Sequence, residues 1–303
     1  MTMLTKDTLK GFVPAIVTPF DARGEIMMDA FSDIVEHLIG IGAQGICVAG
    51  DNGESWALDR DERARLTRLA VERSAGRVPV MMGCTAPGSR QTIQYAQAAK
   101  EAGASGILVM PQTYVLKATR EELLRRFELL GKAVDMPIVL YNSPRRAVIE
   151  LSIDDVEAIT DVAPVVGIKE SNRDIGHLTR LIRRMGDRIA VMVGPAYYIL
   201  VGSALGASGF IATGPELLGK TAGKLMEIGR KAPDADYVDA HHKLTIVYET
   251  LMSLGTWPSS FKAALNLQGL PAGVPRDPLL PLGGAQLDKL RATLGELGLL
   301  PGR

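Results

Sequence analysis

Eight short apolar runs, rich in β-branched residues, recur along the chain at residues 12–17, 45–49, 78–82, 106–110, 137–141, 165–169, 189–193 and 208–212. Runs of this length that are apolar on both faces read as parallel strands covered by helices. Most of the intervening segments supply those helices: residues 59–74 and 89–102 interleave charges with Leu, Ala and Ile at spacings of three and four. Asp59 with Glu62 reads as a capping box that starts one of them. Gly42-Ala-Gln-Gly-Ile, Gly103-Ala-Ser-Gly-Ile and Gly206-Ala-Ser-Gly-Phe repeat one helix-to-strand turn, as a repeated βα unit requires. Eight such units close a (β/α)8 TIM barrel of the α/β class. A doubly wound sheet would more often show five or six strands and a Gly-rich first turn, and no such turn is present. After Gly219 the pattern is helical through about Leu297, broken by a Pro- and Gly-rich stretch at residues 269–284. Residues 1–219 are therefore expected to form the barrel core. Residues 220–303 are expected to supply the last barrel helix and a C-terminal helical extension of the same domain.

A single barrel accounts for all 303 residues. The 34 Lys and Arg balance 34 Asp and Glu, so no charge excess points to nucleic acid or to an anionic membrane. A small-molecule ligand is the remaining class. The first residues lack the apolar core of a signal peptide, and no stretch is long and uninterrupted enough to span a bilayer, so the cytoplasm is the expected compartment. Two cysteines, Cys47 and Cys84, lie in or beside apolar runs, which fits reduced thiols.

In a TIM barrel the chemistry sits where the strands end. The sixth run closes on Gly167-Ile-Lys169-Glu170. An ammonium at the end of a buried strand loses hydration, which favours the neutral amine that a Schiff-base nucleophile needs. The alternative for Lys169 is a structural ion pair, with Glu170 or another carboxylate. The fifth run closes on Tyr141-Asn-Ser-Pro-Arg-Arg146, where a phenol can relay protons and Arg146 can hold a carboxylate. Taken alone, these two also fit a rim aromatic and a solvated charge. The second run closes on Gly50-Asp51-Asn52-Gly53-Glu54, where two glycines let backbone N–H groups converge on an anion and Asn52 adds a side-chain donor.

Taken in order, Pro14-Ala-Ile-Val-Thr-Pro-Phe20, Gly50-x-x-Gly-Glu54, Tyr141-Asn-x-Pro144 and Gly167-Ile-Lys-Glu170 make the chain resemble the dihydrodipicolinate synthase and N-acetylneuraminate lyase superfamily of class I aldolases. The resemblance implies that Lys169 is the Schiff-base lysine and Tyr141 the proton relay. It also implies that Arg146 holds a substrate carboxylate, as in the synthases, and that Gly194 and Ile211 line the keto-acid pocket. By the same resemblance the protein is a homotetramer acting on pyruvate or a related 2-keto acid, without a cofactor. Asn52 and the backbone N–H groups of residues 51–53 are expected to bind the keto-acid carboxylate.

The departures fall where a second substrate would meet the site. Synthases of the family carry Thr-Thr where this chain has Asp51-Asn52, so the hydroxyl relay is replaced by a carboxylate or rebuilt. With a carboxylate over the enamine, Asp51 is a candidate general acid/base for elimination. After the fourth run the synthases have Pro-Tyr-Tyr, whose second tyrosine reaches a neighbouring subunit's site, whereas this chain reads Pro111-Gln-Thr113-Tyr114. Thr113 and Tyr114 thus become candidate substrate contacts. After the seventh run Gly194 precedes Pro195-Ala196-Tyr197 in place of Asp-Asp. The expected activity is a lyase on a substituted 2-keto acid, by aldol chemistry, dehydration or deamination, with the lysine-pathway synthase as the alternative and an inactive binding barrel below both. Lysine-inhibited synthases use a tyrosine after strand four and histidines early in the second helix. Gln112, Arg60 and Arg63 stand there in this chain, so L-lysine is not expected to inhibit.

Two competing chemistries are set aside. Gly214-Pro-Glu-Leu-Leu-Gly219-Lys220-Thr221 satisfies the P-loop pattern, but Pro215 reads as a first helical residue and Leu217, Leu218, Ala222, Leu225 and Met226 continue an apolar helical stripe through Gly219. The four histidines, His37, His177, His241 and His242, close no strand, so no metal is expected.

Overall fold

The apolar runs fold as parallel strands: β1 (Gly11–Phe12), β2 (Ile46–Val48), β3 (Val80–Gly83), β4 (Gly106–Val109), β5 (Ile138–Asn142), β6 (Val165–Glu170), β7 (Ala190–Val193) and β8 (Gly209–Phe210). The structure, a computed structural model, describes residues 2–115 and 117–301. The strands pair in the order β1-β8-β7-β6-β5-β4-β3-β2. Between β2 and the chain just beyond β1, a parallel bridge of Ala15 with Cys47 closes the ring. The first run is shorter as a strand than its pattern suggests. Pro14 has no N–H to donate, so the ladder stops at Phe12 and resumes only at that bridge.

Around the ring run α1 (Met28–Gly40), α2 (Arg60–Ser74), α3 (Ser89–Glu101), α4 (Arg120–Ala133), the one-turn α5 (Pro144–Ala147), α6 (Ile153–Val162), α7 (Ile175–Met185), α8 (Ile199–Ala204) and α9 (Leu225–Arg230). The C-terminal extension follows as α10 (Ala235–Ser253), α11 (Ser259–Leu267) and α12 (Gly284–Glu296). The expected capping box at Asp59 and Glu62 is present, and Thr119 and Ser152 open α4 and α6 in the same way. Each such N-cap is worth about 1 kcal/mol relative to alanine. The three repeated turns put Gly42, Gly103 and Gly206 at φ 99°, 82° and 98°, a region that favours glycine.

Strand alternation divides the apolar residues into two cores. Residues facing the strand–helix layer, such as Ile46, Ile107, Ile138 and Ile168, join Phe31, Leu66 and Phe127 from the helices. The barrel interior is filled by Val13, Ala15, Cys47, Met81, Leu108, Val139, Met192 and Ile211. Leu4 and Leu9 belong to this interior set, a role that nothing in the strand pattern signals. Leu9 packs so tightly on β6 that a Cβ on Gly167 would fall 2.4 Å from its side chain.

The P-loop-like segment corrects one expectation. Residues 215–224 do begin a helix at Pro215, but they form 3-10 turns broken at Gly219 (φ 57°, ψ −135°), so the apolar stripe does not run through one continuous helix. Lys220 and Thr221 are exposed beyond the kink, and the segment remains helical on both sides rather than looping around an anion.

Candidate active site

Lys169 and Tyr141 occupy matched positions on β6 and β5, paired in register. Both point into the C-terminal mouth of the barrel, where Lys169 is 6% and Tyr141 5% exposed. The Lys169 Nζ lies 4.3 Å from the centre of the Tyr141 ring. Among the described residues Lys169 forms no ion pair, so the structural alternative for it does not hold. Alternation turns the next residue, Glu170, to the other side of the strand. There it accepts hydrogen bonds from Asn142 Nδ2 at 3.0 Å and from the Asn172 N–H at 2.6 Å. His177 Nε2 lies 3.2 Å from the same carboxylate, which holds the imidazole above its ordinary range. Glu170 thus ties β5, β6 and α7 together beneath the site.

A cavity of about 270 Å³ opens over Lys169. Of the residues expected to form the site, Asp51, Asn52, Tyr141, Arg146, Lys169, Gly194 and Ile211 all line it. Gly194 is needed for close approach: a Cβ there would fall 2.0 Å from Ser171 Oγ and 2.7 Å from the Glu170 carbonyl oxygen. A second, mostly apolar cavity of about 430 Å³ shares Asp51, Tyr141 and Arg146 with the first and includes Thr113. Tyr114 lines neither; it stands 93% exposed with φ 70°.

Two of the expected ligand contacts, Asn52 and Arg146, also have partners within the protein. The Asn52 side chain donates to the Ala15 carbonyl at 2.9 Å and accepts from the Thr213 hydroxyl at 2.9 Å. Its second Nδ2 proton and its backbone N–H have no acceptor among the described residues. The N–H groups of Asp51, Asn52 and Gly53 have no acceptor among the described residues, while Glu54 N–H and Ser55 N–H close the turn on the Asp51 and Gly50 carbonyls. Asp51 and Asn52, which carry two of these free donors, line the same cavity as Lys169. Arg146 meets Asp51 at 2.9 Å, so the two charges expected to act on substrate neutralise each other in this state.

The turn at residues 51–53 is held from below. Glu54, fully buried with φ 52°, meets Lys262 Nζ of α11 at 2.5 Å and accepts the Arg276 N–H at 2.9 Å. Lys262 also donates to the Val274 carbonyl at 2.7 Å, above the Phe20 ring. The C-terminal extension further supplies Tyr248, Met252 and Trp257 to the cavity wall, and the loop after β6 supplies Arg173. None of these was marked by a strand end. Glu216, after β8, is a further buried carboxyl near Lys169. Burial raises it to about 8, against the backbone N–H donors around it and the Lys169 charge.

The family profile described as the dihydrodipicolinate synthetase family matches residues 8–297. A 4-hydroxy-tetrahydrodipicolinate synthase of Sorangium cellulosum is 34% identical over 95% of this chain and 96% of its own length. Among solved structures, the chloride-inhibited dihydrodipicolinate synthase of Acinetobacter baumannii complexed with pyruvate superposes with a TM-score of 0.90 at 27% identity, covering 96% of this chain and 100% of its own. A prophage protein of E. coli K12 from the dihydrodipicolinic acid synthase family, also in complex with pyruvate, gives 0.89 at 26% identity over 96% of this chain and 99% of its own.

Proposed function

The chain belongs to the dihydrodipicolinate synthetase family, a family of class I lyases, and on that premise we propose that it forms a Schiff base between Lys169 and pyruvate or a substituted 2-keto acid. One observation carries the proposal: a buried lysine with no ion pair among the described residues, against a tyrosine, at the barrel's C-terminal mouth and in one cavity with the free N–H donors of Asp51 and Asn52. The keto-acid carboxylate rests on the backbone N–H groups of residues 51–53. The neutral Nζ attacks C2, Tyr141 returns protons as the carbinolamine loses water, and the resulting iminium accepts the electron pair when a C3 substituent or proton departs. The enamine then adds to an aldehyde, is formed by C–C cleavage, or expels water or an amine from C4. Borohydride with pyruvate should add the reduced ligand's mass to the peptide containing Lys169, and Lys169→Ala should abolish both adduct and turnover. An adduct on another lysine, or activity in that variant, would overturn the assignment.

The names of the relatives favour a second reading, the lysine-pathway synthase. We rank it lower because Asp51 stands in place of a hydroxyl relay and its ion pair occupies Arg146. Misplaced proton transfer typically costs about 10²–10⁴ in rate. Condensation of pyruvate with aspartate semialdehyde at more than about 10 per second, a typical enzyme turnover, would restore the synthase. We read residues 1–219 and 220–303 as one domain, supported by the extension's residues in the cavity wall and under Glu54. The homotetramer implied by family resemblance is proposed too, supported by the exposed aromatic surface of Trp56 and Tyr114, 54% and 93% accessible in the single chain.

A further inference from the structure

The N–H groups of Asp51, Asn52 and Gly53 can serve a carboxylate only while their backbone is held in one conformation, and the turn does not hold itself. Ala49 before it and Glu54 after it stand at φ 51° and 52°, a region that non-glycine residues keep only where their surroundings over-determine it. The bonds that close the turn, from Glu54 N–H to the Asp51 carbonyl and from Ser55 N–H to the Gly50 carbonyl, are both long at 3.2 Å.

Two supports come from the barrel. Thr18 Oγ1 donates to the Gly53 carbonyl at 2.8 Å, and the Asn52 side chain bonds Ala15 and Thr213. The third comes from the C-terminal extension, through the Glu54 carboxylate and its contacts with Lys262 Nζ and the Arg276 N–H. Lys262 is itself fixed: it is 1% exposed, donates to the Val274 carbonyl, and its ammonium lies 4.6 Å from the centre of the Phe20 ring. The Arg276 guanidinium lies 4.3 Å from the same ring and is held by both Glu62 oxygens at 2.7 and 3.0 Å. Neither Glu54 nor Lys262 lines the cavity over Lys169. Whatever they do for the reaction, they do through the turn.

We propose that Lys262 is a positioning residue for the keto acid: through Glu54 it holds residues 51–53 so that their N–H groups face one carboxylate, and it thereby sets how tightly the keto acid binds without altering the chemistry at Lys169. This inference rests on the Schiff-base reading, from which the place of the carboxylate is taken. Donors that meet the carboxylate equally before and during the reaction contribute to binding and cancel from the rate at saturation, so the two quantities should separate.

Cyanoborohydride trapping on the whole protein, read by intact mass against pyruvate concentration, gives the half-saturating concentration, the rate at saturation and the fraction of protein that can be trapped. Lys262→Met and Glu54→Gln should each raise the half-saturating concentration about tenfold or more, within the roughly 10²-fold that a misplaced positioning group can cost, and leave the rate at saturation within about threefold. Glu54→Gln/Lys262→Met strands no charge and should cost no more than the worse single variant, because the lysine acts only through the glutamate. That double variant also carries the test where Lys262→Met is too unstable to purify. Acetone, a ketone without a carboxylate, should be trapped alike by the parent and all variants. A brace with no part in binding would lower the trappable fraction and leave the half-saturating concentration unchanged, and that result would overturn the inference. Additive losses in the double variant, an equal loss with acetone, or a slower rate at saturation with unchanged half-saturation would overturn it too. Failure of the parent protein to trap pyruvate at Lys169 would instead sink the Schiff-base reading on which it stands.

Discussion

Replacing Glu216 with glutamine should stabilise the folded protein, by an amount that grows with pH. Glu216 is 3% exposed; Oε2 accepts the Gly214 N–H at 2.9 Å, and Oε1 has no partner among the described residues. Burial is the largest influence and raises the group from its ordinary 4.5 to about 8, with its hydrogen bonds and Lys169 opposing. Because the folded value lies above the unfolded one, the native state holds this proton between pH 4.5 and about 8 while the unfolded chain has released it. The contribution is therefore intact below pH 4.5 and is lost as pH rises toward and through about 8. At about 1.36 kcal/mol per pH step the loss approaches roughly 5 kcal/mol by pH 9, an upper bound of which we expect about 2 or more to be realised. Glutamine keeps the acceptor for Gly214 and has no proton to lose. Melting temperatures of the two proteins should be close at pH 5 and diverge by several degrees at pH 9, since about 1 kcal/mol moves a chain of this size by roughly 2 °C. Every other titrating group is common to both, so the difference isolates this carboxyl. A gap that stays constant from pH 5 to 9 would refute the argument.

Lys262→Met should lower unfolding stability by about 3–5 kcal/mol in urea titrations, because it strands the buried Glu54 carboxylate with the Arg276 N–H as its remaining partner among the described residues. A loss under about 1 kcal/mol would show that the pair is solvated or replaceable. Free L-lysine at millimolar concentration should leave turnover unchanged. Arg63, where lysine-inhibited relatives of this family carry a histidine, is buried with its guanidinium given to the carbonyls of Ser55, Leu58 and Gly83. Saturable inhibition would show that an effector site persists without those side chains.

The parts legible in the sequence are those fixed by local rules. A lysine closing a strand must sit at the mouth of a parallel barrel, so Lys169 and Tyr141 could be placed from their runs alone. The repeated glycine turns and the Asp59 capping box were readable for the same reason. The chain's own side chains competed for several other positions in ways no pattern announces. Asn52 bonds Ala15 and Thr213, and Arg146 meets Asp51, because loops distant in sequence converge after the ring has closed. Arg173, Glu216, Tyr248 and Trp257 lie on loops or on the extension, where helical periodicity reports only that something packs. The kink at Gly219 was hidden because an apolar stripe looks the same through a helix and through two short turns.

The grip of Lys262 and Arg276 on Glu54 also sets an order of events during synthesis. Residues 51–53 emerge from the ribosome more than two hundred positions before Arg276, the residue whose N–H reaches Glu54 across a separation of 222. All eight strands can have been made by residue 210 while the turn at residues 51–53 is still without its support. Until Lys262 and Arg276 have been made, the Glu54 carboxyl has neither its ion pair nor its backbone donor, so a turn laid down early in the chain is secured by residues near its far end.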